Sequence, residues 1–240
     1  MNKIYNGDCL KVMPEIEAES VDMVLCDLPY VITDCAWDKI IPIDALWKQY
    51  NRIIKPHGAI VLTATMKFAI DLINANRKYF RYDLVWAKSL KVGFANAKRM
   101  PLRRHENLLV FYKHLPIYNP QGLKKLEKTT SKRGSTSAKE DIYSDLRKEY
   151  TATHTGYPDS ILNFPNGNNG NVHPTQKPIA LFEYLIKTYT NPGDVVLDNC
   201  IGSGTTAVAA INTERQFIGI EADGKYCNIA KERIKETEQL

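Results

Sequence analysis

Residues 195–221 constrain the fold of this chain more than any other stretch. A short apolar run, Val195 to Leu197, leads into Asp198-Asn199-Cys200-Ile201-Gly202-Ser203-Gly204-Thr205-Thr206. A small-residue helix, Ala207 to Ile211, follows, and Gln216 to Ile220 forms a second apolar run that ends in Glu221. Gly202-x-Gly204 at a strand-to-helix junction lets the backbone approach a ligand at the helix N-terminus. Glu221 lies nineteen residues past Gly202, at the end of the next strand, where a carboxylate accepts from the two hydroxyls of a ribose. A lone Gly-x-Gly says little. Strand, glycine turn, helix, strand and acid in register point to an adenosine-type cofactor.

Only one further helix follows Glu221, so no third strand completes the mononucleotide-binding fold in chain order. That strand must come from elsewhere. Residues 3–10 (KIYNGDCL) read as a short strand ending at Asn6-Gly7 with Asp8 just past it, and they are the natural candidate. The chain is therefore expected to be circularly permuted, with its cofactor strands last.

The intervening sequence alternates strands and helices. Val21 to Cys26 (VDMVLC) and Ala59 to Ala64 (AIVLTA) are continuous apolar runs, and Tyr82 to Lys88 and Asn107 to Lys113 read as two more strands. Residues 43–54 place Leu46, Tyr50, Ile53 and Ile54 at helical spacing, and Lys55-Pro56-His57-Gly58 stops that helix. Lys67 to Asn76 and Pro178 to Tyr189 are further helices, the second with a proline start. Val31 to Ile41 has no period and reads as a loop, its Trp37 either a lid contact or a buried plug. This pattern predicts an α/β fold with a doubly wound, mostly parallel sheet. From 114 to 172 the periodicity disappears into Lys, Thr, Ser, Asn and Gly, with one helical piece expected at Lys139 to Tyr150. The expected organisation is one domain made of residues 1–113 and 173–240, interrupted by an irregular insertion at 114–172. At 240 residues the chain is long enough for such a core.

The run Val21 to Cys26 ends in Asp27-Leu28-Pro29-Tyr30. Ligands of open α/β sheets sit beyond the carboxyl ends of the strands, so Asp27 is expected to point a carboxylate into a cleft. Pro29 ends the ladder, and the Tyr30 ring lies beside the acid. A carboxylate with a backbone carbonyl holds an exocyclic amino group by both hydrogens, and an aromatic face stacks on the attached base. On four residues alone, a strand-to-loop turn with a capping Asp explains as much. Between the strands at 82–88 and 107–113 lies Ser89 to Arg104, which holds Lys91, Lys98, Arg99, Arg103 and Arg104 and no acid. Phosphate contact explains a wholly basic loop near Asp27 better than a solvated surface does.

The formal charge of +5 is modest, so its placement matters more than its size. Cys9, Cys26, Cys35, Cys200 and Cys227 are scattered, with no Cys-x-x-Cys pair and no zinc spacing, and read as reduced packed thiols. No Pro-Cys dipeptide occurs, which opposes the cysteine-nucleophile chemistry of cytosine-C5 methylation. No apolar run approaches the roughly 18 residues of a membrane span, and MNKIYNGDCL has no signal-peptide character. A cytoplasmic protein with no membrane partner and no metal is expected. Gly202-x-Gly204-x-x-Ala207 also fits the dinucleotide fingerprint. A nicotinamide or flavin enzyme is opposed by the missing third strand and by the amino-holding site at Asp27.

With these motifs in place, the sequence resembles the β group of DNA amino-methyltransferases, the permuted class in which the catalytic motif precedes the cofactor motif. Asp27-Leu28-Pro29-Tyr30 is similar to the family's DPPY, His173-Pro174-Thr175-Gln176-Lys177-Pro178 to its HPTQKP, and Gly202 to Thr206 to its FxGSGTT. Arg104-His105-Glu106-Asn107 leading into LLVFYK resembles another family block. The resemblance covers nearly the whole chain apart from residues 114–165. It implies S-adenosylmethionine as cofactor and double-stranded DNA as partner, in a bacterial cell or phage-infected host; a homodimer is an option left open. It also implies roles. Asp27 and the Leu28 carbonyl accept from the target amino group while Tyr30 stacks on the flipped base. Asp8 meets the cofactor's adenine and Glu221 its ribose. Gly202, Ser203, Gly204 and Thr205, with Thr175 and Lys177, hold the methionine end, and Asp198 completes the set. Leu28 replaces the usual first proline, and Asn199-Cys200 replaces the usual Pro-Phe, which changes one apolar wall of the cofactor pocket. An Asp at the first motif position more often accompanies adenine-N6 than cytosine-N4 methylation in this family. RNA methylation and an inactive DNA-binding relic are the remaining alternatives.

Overall fold

The computed structural model describes residues 2–29, 41–132, 150–166 and 176–239. The expected loop around Trp37, most of the helical piece at 139–150 and the Asn/Gly run at 167–171 lie outside these residues, as does Cys35.

The larger of two compact units, residues 1–119 and 160–240, is built on an eight-stranded sheet. Its strands in chain order are β1 (Lys3–Asn6), β2 (Val21–Cys26), β3 (Ile54–Ala64), β4 (Phe80–Val92), β5 (Arg103–Phe111), β8 (Ile161–Asn163), β9 (Val195–Asp198) and β10 (Gln216–Glu221). The spatial order is β1-β10-β9-β2-β3-β5-β4-β8. Pairing is parallel from β1 through β3. Only β5 runs against its neighbours. The expected permutation is present: Asn6 of β1 pairs with Glu221 of β10, so the first strand supplies the position that no later strand could.

Strand alternation explains why helices cover both faces. Along β2, Val24 and Cys26 face one apolar cluster and Met23 and Leu25 the other. The first cluster is closed by α1 (Cys9–Val12), α2 (Ile43–Ile53) and α3 (Met66–Ala75), through Met13 just after α1 and through Leu46, Tyr50 and Leu72. The second is closed by α4 (Ile179–Tyr189), α5 (Thr205–Asn212) and α6 (Gly224–Glu238), through Leu185, Ala209 and Ile234. The α4 start at Pro178 follows from proline's fixed φ and missing donor at a helix entrance.

Three strands depart from the sequence reading. β3 begins at Ile54 rather than Ala59, because Lys55 to Gly58 form an irregular segment between the Val21–Ile54 and Met23–Ala59 pairings. Gly58 is required there, since a Cβ would meet the Asp22 carbonyl oxygen at 2.7 Å. β4 and β5 extend past the expected strands, so both ends of the basic stretch 89–104 belong to an antiparallel hairpin, closed by the Val92–Arg103 pair, with residues 93–102 as its tip. A basic sequence can ladder as well as an apolar one where its side chains face water, and this charge pattern hid the strand.

The smaller unit, residues 120–159, contains an antiparallel ladder where irregular chain was expected. β6 (Lys124–Lys132) pairs with β7 (Tyr150–Thr155), with a register shift between Lys125 and Thr130. Tyr150 thus begins a strand. Among the described residues no helix is long and apolar enough to cross a membrane.

Candidate active site

β9 and β2 are parallel neighbours, but the chain leaves β9 through α5 to the β10 side and leaves β2 through α2 to the β3 side. Their carboxyl ends flank a topological switch point, where an open α/β sheet has its crevice. Asp27 to Pro29 follow β2, and Asp198 to Gly204 follow β9. Both sequence motifs therefore meet at one end of the sheet.

Asp27 lies one residue beyond the Cys26–Leu62 pair of the β2–β3 ladder, beside Thr63. The Thr63 hydroxyl donates to Asp27 Oδ1 and the Lys177 ammonium to Oδ2. These two donors take two of a carboxylate's roughly four acceptor directions. Leu28 is buried and Pro29 half-buried. Tyr30 lies outside the described residues, as do His173, Pro174 and Thr175.

Lys177 also stands 3.6 Å from Glu106 Oε2, and Glu106 is ion-paired with Lys88. The Lys88 ammonium in turn lies 4.7 Å from the Trp86 ring centroid, on the same strand. The chain of charges Lys88–Glu106–Lys177–Asp27 thus ties β4, β5, the α4 approach and β2 together. Burial opposes the charge of Lys177, but attraction to Asp27 and Glu106 outweighs it and raises its pKa, so the ammonium stays protonated. Resemblance assigned Lys177 to the methionine end of the cofactor. Its ammonium is found on the catalytic-motif carboxylate.

The glycine turn is fixed by both geometry and crowding. Gly202 has φ 52° and Gly204 φ 88°. A Cβ on Gly204 would stand 3.1 Å from the Ala230 Cβ of α6, while one on Gly202 would meet nothing within 4 Å. The turn is thus packed on its helix side and open on its other side, as a cradle for a ligand requires. Asp198 braces it, accepting from Cys200 N at 3.0 Å and the Thr206 hydroxyl at 2.5 Å. Burial pushes the Asp198 carboxyl up to about 6. Arg233 of α6 donates to the Ser203 carbonyl at 2.5 Å, and Ser203 Oγ lies 3.4 Å from Gln176 Oε1. Gln176 and Lys177, adjacent in sequence, therefore touch the glycine turn and the carboxyl end of β2 respectively.

Glu221 and Asp8 come together through the β1–β10 pairing. Glu221 Oε2 accepts from Gly202 N and Oε1 from Asp223 N, each at 2.8 Å. Burial raises the Glu221 pKa, partly offset by those backbone donors; further donors such as ribose hydroxyls would favour the anion. Gly7 N donates to the Glu221 carbonyl at 2.9 Å, which brings Asp8, the N-cap of α1, to the same strand ends. These residues fit an adenosine moiety. The departure at Asn199 is compensated: its side chain is buried and accepts from the Tyr50 hydroxyl of α2. Around it Cys26 is pushed by burial up to about 12, and Cys200 is raised chiefly by hydrogen bonding to Cys26 and Cys9, so both thiols stay protonated.

Sequence reasoning missed Thr63, Lys88 and Glu106 as site residues. The signal for Thr63 was a hydroxyl in an otherwise apolar strand. For Glu106 it was an acid just before the apolar run of β5, inside a block already noted for resemblance. All five basic residues of the hairpin, Lys91, Lys98, Arg99, Arg103 and Arg104, are exposed, and Arg104 Nε donates to the Lys88 carbonyl at 2.9 Å.

A family model described as DNA methylase, of the N6/N4 methyltransferases, matches residues 21–232. The DNA adenine methyltransferase YhdJ of Escherichia coli is 32% identical over 96% of this chain and 82% of its own length. The type II methyltransferase M.HpaI of Haemophilus parainfluenzae is 27% identical over 97% of this chain and 74% of its own. Among solved structures, the M1.HpyAVI–SAM complex superposes with a TM-score of 0.65 at 25% identity, covering 97% of this chain and 100% of that one. The cytosine-N4-specific PvuII DNA methyltransferase superposes at 0.70 with 17% identity, over 99% and 91% of the two chains, and so shares the fold.

Proposed function

The chain belongs to the N6/N4 DNA methylase family, and from that premise we propose that it methylates the exocyclic N6 of adenine at specific sites in double-stranded DNA. It is an S-adenosylmethionine-dependent DNA methyltransferase; the choice of base is the proposal. The observation that carries it is the Asp27 carboxylate, held by Thr63 and Lys177 at the end of β2 beside the glycine turn.

The amino nitrogen of a paired base is out of reach inside the stack, so the target is turned out of the duplex. Asp27 and the Leu28 carbonyl hold the amino hydrogens, and Tyr30 stacks on the base. Those hydrogen bonds draw the nitrogen lone pair out of conjugation with the ring and aim it. S-adenosylmethionine supplies an electrophilic sulfonium methyl group when bound. Glu221 and Asp8 would hold its adenosine, and the turn Gly202 to Thr205 its amino-acid end. Lys177 keeps the Asp27 carboxylate aimed while the amino nitrogen sheds its proton by way of that carboxylate to water. Catalysis rests on orientation and fixed charge. The exposed basic hairpin supplies phosphate contact, and residues 114–172 are assigned the reading of the DNA sequence. The setting that fits is the cytoplasm of a bacterial cell or phage-infected host.

Adenine is favoured over cytosine by the Asp at the first motif position and by the adenine specificity of YhdJ at 32% identity. Nucleoside mass spectrometry on DNA from methylation-deficient cells expressing the chain tests this. N6-methyladenine supports the reading, and N4-methylcytosine in its place overturns the base assignment.

A further inference from the structure

The β4–β5 hairpin carries more than charge. Between Leu90 and Met100 three large apolar side chains stand in water: Leu90 is 59% exposed, Phe94 69% and Met100 60%. Scattered exposed apolar residues are ordinary. Three on one hairpin, Leu90 at its root and Phe94 and Met100 at its tip, interleaved with Lys91, Lys98 and Arg99, are a surface built for a partner that is both anionic and able to stack.

The tip is not a loose loop. Gly93 takes φ 91°, which turns the chain into a single 3-10 turn at Phe94–Asn96. Asn96 N bonds to the Gly93 carbonyl at 2.9 Å, Ala97 N to Phe94 at 3.0 Å, and Met100 N to Asn96 at 3.0 Å. The root is pinned as well: Asn166 Oδ1 accepts from Leu90 N at 3.0 Å and Arg104 Nε donates to the Lys88 carbonyl. Phe94 is therefore presented on a backbone that holds its position.

The hairpin also points the right way. β4 runs parallel to β3 through the antiparallel β5 between them, so its carboxyl end lies at the edge of the sheet where Asp27 sits. Glu106, one link from Asp27 through Lys177, is three residues inside the Val92–Arg103 pair that closes the hairpin. At roughly 3.4 Å per residue, the tip begins about 10 Å beyond the charge network.

We infer that Phe94 is a wedge that enters the base stack at the space the flipped nucleotide leaves. The inference rests on the proposed function above and adds how the extruded state is held. Flipping breaks stacking on both sides of the target, and an aromatic ring inserted at that step replaces part of it. The flanking cations bind phosphates on either side and fix the depth of entry. Two such tips do not pair with each other, because residues 89–104 hold no acid and like charges repel.

The test compares turnover of the native chain, Phe94→Ala and Phe94→Trp, after the methylated sequence has been mapped in expressing cells. Two duplexes are used, one with the target base paired and one with an abasic site opposite it. On the paired duplex Phe94→Ala is expected to be slower by roughly tenfold or more, with Phe94→Trp near the native rate. On the abasic duplex, where the target is already unpaired, the defect of Phe94→Ala should shrink to about twofold. Cofactor binding of the variant, unchanged, shows that it is folded. An equal defect on both duplexes, or none on either, overturns the wedge. The native chain's methylation of the same duplexes independently reports whether the proposed function stands.

Discussion

Lys177 and Asp27, 150 residues apart in sequence, form an ion pair at the centre of the site. With Glu106 also beside its ammonium, Lys177 lies between two partly buried carboxylates that would otherwise have no cation between them. In the proposed mechanism that position makes it a positioning residue for the carboxylate that holds the target amino group.

Lys177→Met should therefore leave S-adenosylmethionine affinity within about threefold while lowering turnover at least tenfold. Removing one partner of a buried ion pair costs roughly 3–5 kcal/mol, which lowers Tm by about 10 °C in a chain of this size. Adding Glu106→Gln to that variant should recover part of the Tm, since it removes one of the two facing charges. Calorimetric titration with the cofactor, beside thermal unfolding, checks both. A loss of cofactor affinity far larger than threefold would return Lys177 to the methionine end.

Asp27→Ala should abolish detectable turnover, with cofactor binding retained. Thr63→Val should reduce turnover by about tenfold through loss of one hydrogen bond to a charged group, and Thr63→Ser should restore it. Single-turnover methylation assays separate these outcomes. Native-like rates in Asp27→Ala would remove the amino clamp.

The Asp198 carboxyl titrates near 6 in the folded chain against an ordinary value of 3.8. The folded state binds more protons than the unfolded one between these values, so this group makes stability fall as pH rises from about 3.8 to 6, and level off above. Asp198→Asn keeps an acceptor for Cys200 N and loses the buried charge. Its Tm at pH 7.5, without cofactor, is expected to match or exceed that of the native chain. A Tm at pH 7.5 clearly below native would mean the anion itself braces the turn.

Gly204→Ala is expected to be far more damaging than its size suggests. The left-handed backbone costs an L residue about 1–2 kcal/mol, and the new Cβ would press on Ala230 at 3.1 Å. Thermal unfolding should show a Tm lower by at least several degrees. Gly202→Ala meets open space and should retain more of the native Tm while weakening cofactor binding. Equal Tm values for the two would contradict the packed-side, open-side description of the turn.

The sheet and both motif positions were legible because they depend on local rules. Val21 to Cys26 is apolar on both faces because helices cover both, and Gly202 and Gly204 stand where positive φ is required. The permuted placement of β1 followed from counting strands after Glu221. What could not be read was pairing across long separations. Thr63 reaches Asp27 through a ladder register set 36 residues away, and Lys88 and Glu106 meet through the antiparallel pairing of two strands whose register the sequence does not state. The ladder at β6 and β7 was hidden because its Lys- and Thr-rich strands show no buried face. Periodicity reports burial. A solvated ladder has none to report.

The pairing of β1 with β10 has a consequence for synthesis. Asn6 and Glu221 are 215 residues apart, and at about 5–20 residues per second the ribosome needs roughly ten to forty seconds to make the partner that β1 waits for. Until then one edge of the nascent sheet is unmatched, and Asp8 and Glu221, the acids proposed to hold the adenosine, are not brought together. On the proposed roles, cofactor capture is a late event in the life of each molecule, and a chain truncated before β10 would carry Asp27 without Glu221 to hold the cofactor.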